Sequence, residues 1–74
     1  MINQQEHILL CLSSSISNPD VIKMAAAVAH ENKAIFTALY VETPENSKIS
    51  KDDRERLQYN TNLARKLGAN IQIF

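Results

Sequence analysis

The stretch His7-Ile-Leu-Leu-Cys-Leu12 passes directly into Ser13-Ser-Ser-Ile-Ser-Asn18 and then Pro19-Asp20. A short, unbroken apolar run is the mark of a strand buried on both faces of a parallel sheet. Cys11, in the middle of it, is expected to be a core thiol. The serines read as a polar loop. Asn18 suits a helix N-cap, and Pro19 suits the first helical position, where its missing N–H costs nothing. Asp20 then faces the positive end of the helix dipole.

Working outward, the spacing predicts a helix over 19–31 with Val21, Met24, Ala25, Val28 and Ala29 facing inward. Ala25 to Ala27 permit close packing on a sheet. Asn32 is a candidate left-handed terminator. Ala34-Ile-Phe-Thr-Ala-Leu-Tyr-Val41 is a second, nearly continuous apolar strand. Two such strands joined by a helix make a right-handed βαβ unit. Glu42 to Ile49, with Pro44, is a loop. Ser50 and Asp53 form a capping-box variant that opens a second helix over 51–67, with Leu57, Leu63, Ala64 and Leu67 inward and Asp52 paired to Arg56. Gly68 stands at its C-cap. Asn70 to Phe74 alternates as an edge strand with one wet face. The expected fold is α/β: a β-α-β-α-β half of a doubly wound parallel sheet, with strands at 7–12, 34–41 and 70–74, in a single partial domain over 1–74.

Composition narrows the function. The 74 residues carry 8 Lys+Arg against 8 Asp+Glu, so no net field draws in nucleic acid or an acidic membrane. No apolar run approaches the roughly 18 residues that span a bilayer, and direct membrane contact is not expected. The single cysteine allows no internal disulfide. The N-terminal stretch lacks the basic head and apolar middle of a signal peptide, so a cytoplasmic location is expected. Below about 70–80 residues one core seldom supplies more than about 3–5 kcal/mol. Two helices on one side of three strands would also leave the other sheet face bare. Both points suggest part of a larger fold, marginal by itself.

In open α/β sheets the ligand crevice lies beyond the carboxyl ends of the strands. That singles out the loop Ser13 to Ser17 and the end of the second strand up to Val41. Free N–H groups at the helix start and the serine hydroxyls would suit a phosphate. With no glycine before Gly68, neither a Walker loop nor a dinucleotide fingerprint is present. Phe36, Ala38 and Tyr40 share one strand face, and Thr37 and Leu39 the other. Ala38 is small, and Tyr40 can stack or donate. Glu42 would stand beside that strand end. His7 and His30 are far apart and make no metal or base pair. The mixed run Lys51 to Arg56 reads as a solvated helix face. No nucleophile–base spacing suggests an enzyme, and no cofactor is called for.

Three segments carry a resemblance: Glu6-His-Ile-Leu-Leu-Cys-Leu-Ser-Ser-Ser15, Phe36-Thr-Ala-Leu-Tyr-Val-Glu-Thr-Pro44, and Asp52-Asp-Arg-Glu-Arg-Leu57 leading to Asn62-Leu-Ala-Arg-Lys-Leu-Gly-Ala69. Together they resemble the first half of the universal-stress-protein-like domain (an adenine nucleotide alpha hydrolase-like fold) in the cytoplasmic region of KdpD-type sensor histidine kinases, which control potassium uptake. The resemblance implies strand order 3-2-1. Some of these kinases bind cyclic di-AMP through Ser-x-Ser, twenty residues, then Phe-Thr-Ala-x-Tyr. Here Ser13 and Ser15 precede Ile16 to Ile35, then Phe36-Thr-Ala-Leu-Tyr40. The implied ligand site is Ser13, Ser14, Ser15, Phe36, Thr37, Ala38, Tyr40 and Val41. Implied partners are cyclic di-AMP, the rest of the sensor kinase, its response regulator and a second copy of the chain. ATP-binding universal stress proteins usually carry an Asp at the end of strand one, and Leu12-Ser13 offers no carboxylate. An ATP- or AMP-binding module is therefore the alternative, and a docking domain without nucleotide is another.

Overall fold

The computed structural model describes residues 6–41 and 49–74. The order is β1 (His7–Cys11), α1 (Asn18–Glu31), β2 (Ile35–Tyr40), α2 (Lys51–Lys66) and β3 (Asn70–Ile73). The strands form one parallel sheet in the order β1-β2-β3. His7 pairs with Ile35 and Cys11 with Leu39, while Thr37 pairs with Asn70 and Tyr40 with Ile73. The expected loop from Glu42, including Pro44, lies outside the described residues up to 48. Among the described residues no helix is long and apolar enough to cross a membrane.

The core gathers on one side of the sheet. Leu10, Leu12, Phe36 and Ala38 meet Ile22 and Ala29 of α1 and Ala64 of α2, with Ala69 beside them. Among the described residues no element covers the other face. Leu9 is 64% exposed, and Cys11 is exposed too. The reading of β1 as buried on both faces, with Cys11 in the core, is corrected here. Both helices lie over one face, so alternate residues of the apolar run Ile8 to Cys11 point away from them.

The inward face of α1 is corrected in part: Ala25 and Ala29 face the core as expected, but Val21, Met24 and Val28 do not. Ile22 is 0% exposed, whereas Met24 is 70% exposed, and Val21 and Val28 are exposed. The true stripe is Ile22, Ala25, Ala26 and Ala29, about one residue (100°) round the helix from the expected one. The alanine run makes α1 apolar on most of its circumference, so periodicity alone does not choose the side. In α2, Ala64 is buried and Leu57 and Leu63 pack against the core, but Leu67 ends the helix exposed.

Helix ends follow their local chemistry. Ser50 Oγ accepts from Asp53 N–H at 3.1 Å, the expected cap. Gly68, at φ 100°, lets Ala69 N–H reach Ala64 O at 2.9 Å and its own N–H reach Arg65 O at 3.1 Å, a Schellman closure. Helix α1 closes in the same way, through Ala34 N–H to Ala29 O and Lys33 N–H to His30 O. The left-handed residue there is Lys33, at φ 52°, and not Asn32, whose Nδ2 donates to Val28 O at 2.8 Å instead. With its side chain occupied one turn back, Asn32 stays at φ −98° and the next residue takes the reversal.

Two outcomes test this packing. Ile22→Ala should cost about 2–5 kcal/mol, while Met24→Ser should stay within about 0.5 kcal/mol, both read by urea unfolding followed by circular dichroism. The reverse ranking would place the wrong side of α1 against the sheet. Cys11 should react with a water-soluble thiol reagent in the native chain about as fast as after denaturation, and slow native labelling would show its face covered.

Candidate functional site

Because β1 and β2 run parallel, both carboxyl ends emerge at the same edge of the sheet. Leu12 N–H donates to Leu39 O at 2.8 Å, extending the pairing one step past β1. That register carries Ser13 and Ser14, leaving β1, beside Tyr40 and Val41, leaving β2. The four line one cavity of about 290 Å³, with Leu57 of α2 and Ile49, two residues before that helix, on its far side. Tyr40 and Leu57 also wall a second hollow of about 360 Å³, flanked by Arg54 and Arg65.

The serine loop is held by a dense set of short-range bonds. Asn18 is buried; its Oδ1 accepts from Ser13 N–H at 3.3 Å and its Nδ2 donates to Cys11 O at 3.4 Å. Ser13 Oγ accepts from Ser15 N–H, and Ser15 Oγ accepts from Ser17 N–H, each at 3.2 Å. The Ser15 and Ser17 hydroxyls share a further bond at 2.8 Å.

These contacts change two expectations. Asn18 is the first residue of α1 and not its cap; Ser17 takes the cap position and makes no side-chain cap bond. The Asn18 amide finds its partners back across the loop, so it ties helix start to strand end. Nor does the helix start offer free backbone donors. Asn18 N–H donates to Ser15 O at 3.1 Å, Asp20 N–H to Ser17 O at 3.2 Å and Val21 N–H to Ser17 O at 3.5 Å, and Pro19 has none. What the loop presents to an anion is hydroxyl hydrogen, since a serine oxygen that accepts a bond still has its own proton to donate.

From the opposite side, α2 reaches the loop with two residues four apart. Asn60 Nδ2 donates to Ser13 O at 2.8 Å and to Ser15 O at 3.4 Å. Arg56 Nε donates to Ser14 O at 2.9 Å, and its Nη2 pairs with Asp53. The expected Asp52–Arg56 pair is thus replaced by Asp53–Arg56, one residue closer, because the guanidinium is turned toward the loop. Asn60 is 1% exposed, and its buried Oδ1 has no partner among the described residues. Two carbonyl acceptors dictate the orientation of its amide, since the flipped form would set oxygen against oxygen. Leaving that oxygen unpaired costs about 1–3 kcal/mol, against two bonds worth about 0.5–1.5 kcal/mol each.

Of the eight expected ligand residues, the structure brings Ser13, Ser14, Tyr40 and Val41 to the cavity. Ser15 adjoins it through the loop bonds. Phe36 and Ala38 are buried in the core beneath the helices, so Ala38 makes room for Ile22 and Ala64 and not for a purine. Thr37 lies on the bare face, opposite Leu9 and Asn70 in register. Glu42 is outside the described residues. Asn60 was not expected. Its signal is a polar residue in phase with Leu57 and Ala64 on the buried side of a helix, and Arg56 stands one turn before it. Among the described residues no group of three or more His, Cys, Asp or Glu is placed to hold a metal. No model of a known protein family matches the chain.

Asn18→Ala would leave Ser13 N–H and Cys11 O unpaired beside a buried position. The expected loss is about 1–3 kcal/mol of stability, with faster amide exchange at Ser13 by NMR. An unchanged exchange rate would show that the loop holds its shape without this amide.

Proposed function

We propose that the chain is a regulatory nucleotide-sensing module of a KdpD-like sensor histidine kinase controlling potassium uptake, and that its ligand is cyclic di-AMP. One observation supports this above the rest: Ser13 and Ser14 share a single cavity with Tyr40 and Val41, although most of α1 and β2 separates them in the chain. Hydroxyls from one strand exit and an aromatic ring from the next are a suitable pair of surfaces for a phosphate and a purine. In this reading the strands are the 3-2-1 half of a doubly wound universal-stress sheet. The rest of the domain covers the bare face around Leu9 and Cys11.

The chemistry is binding without bond-making. An adenine stacks on Tyr40, the Ser13 and Ser14 hydroxyls donate to the phosphate, and Val41 covers the edge of the base. The module acts in the cytoplasm by changing a conformational equilibrium that the attached kinase senses, through different affinities for the two states. A cavity of about 290 Å³ is at the low end for a drug-sized ligand. It takes one adenine-phosphate half of a nearly two-fold ligand, and a second copy of the chain takes the other.

Calorimetry tests this with cyclic di-AMP, ATP and AMP. The expected result is selective binding of cyclic di-AMP with one ligand per two chains. Tyr40→Ala and Ser14→Ala should each weaken it about tenfold, the equivalent of about 1.4 kcal/mol. Tighter binding of ATP at one per chain would replace this ligand, and full affinity in both variants would move the site elsewhere.

A further inference from the structure

The serine loop follows β1, but the groups that hold its backbone belong to α2. Three successive carbonyl oxygens, those of Ser13, Ser14 and Ser15, accept from Asn60 and Arg56. These two donors stand one helical turn apart on the same side of α2, so a single rigid element grips three consecutive peptide groups. Inside the loop, the side chains of Ser13, Ser15 and Asn18 take up N–H groups of residues 13, 15 and 17. Carbonyls are thus bound by α2, and these amides by the loop's own serines and by Asn18 at the start of α1. The backbone has little freedom left, and Ser13 and Ser14 stay at the cavity wall.

We propose that Asn60 and Arg56 are positioning residues for the ligand site, holding the serine loop in the conformation that receives a phosphate; this rests on the nucleotide-binding reading above. Asn60 is the centre of the device. A buried amide with one oxygen left unpaired is a poor core residue, and an apolar side chain would fill the same place without an orphaned acceptor. What an apolar side chain lacks is the pair of N–H donors that reach Ser13 O and Ser15 O. Arg56 adds a donor to the carbonyl between them, and Asp53 holds its other arm. Neither residue needs to touch the nucleotide. A loop that samples several shapes binds more weakly in proportion to the fraction of time spent in the competent one.

The test uses the full chain, with Asn60→Ala and the more exposed Arg56→Gln as the variants. Three quantities are read on each: affinity for cyclic di-AMP, thermal midpoint, and amide exchange of residues 13–17 without ligand. The expected result for Arg56→Gln is faster exchange at 13–17 and about tenfold weaker binding, with the thermal midpoint nearly unchanged. Its affinity ratio to the unaltered chain should be the same at low and high salt. A ratio that collapses in salt would identify direct charge attraction to the phosphate and overturn the positioning role. Asn60→Ala should show a larger change of the same kind; should it not fold, Arg56→Gln alone decides. Unchanged exchange in Arg56→Gln, or a loosened loop that binds with full affinity, also overturns the proposal. Failure of the unaltered chain to bind any cyclic dinucleotide would instead reject the ligand. In that case exchange at 13–17 still decides whether α2 holds the loop.

Discussion

Strand β2 pairs in parallel on both sides, with β1 through five residue pairs and with β3 through four. Parallel strands cannot be joined by tight hairpins, so each connection must cross back over the sheet. Here both crossings are helices, and both lie on one face, where they share the core of Leu10, Phe36, Ala38, Ile22 and Ala64. The same constraint brings every strand exit to one edge. Residues far apart in the chain meet there without any dedicated contact, and the cavity between Ser14 and Tyr40 is a product of register.

Register brings the backbone to that edge but does not shape it. A loop of small polar residues has many conformations, and its carbonyls and amides would otherwise be satisfied by water. The bonds from Asn18, Asn60 and Arg56 select among those conformations. They come from the two helices that pack on each other, both of which follow the loop in the chain. Packing of Ile22 and Ala64 at full burial keeps those helices in place. The hydrophobic core therefore stabilises the site indirectly, by fixing the distance over which the two amides must reach.

Element types and order were legible because each depends on local chemistry: apolar runs for β1 and β2, the Ser50 cap and Gly68 reversal for α2. What was not legible depends on which side faces what. In β1 every residue after His7 is apolar, so the pattern carries no information about Leu9 or Cys11 against Leu10. In α1 the alanines blur the boundary between the stripe at Ile22 and the one at Met24. Asn18 and Asn60 are short amides whose partners lie across the loop or on another element, and capping propensity weighs only neighbours in sequence. Tertiary hydrogen bonds override it at Asn18. The contact of α2 with the loop spans more than forty residues, and no window on the sequence contains both ends of it.

The segment Phe36 to Tyr40 shows how fold and site can share one string of residues. On a strand, alternate side chains face opposite ways, so a motif written along it necessarily mixes roles. Phe36 and Ala38 fill the space under the helices, Thr37 faces the uncovered side, and only at Leu39 and Tyr40, where the strand leaves the core, does the segment line the cavity. Size at Ala38 still matters to the site, although it touches nothing there. A larger residue between Leu10 and Ile71 would push Ile22 and Ala64 outward, and with Ala64 would move Asn60, one turn earlier on the same helix. The small residue in the middle of β2 thus bears on the serine loop through the packing of α2.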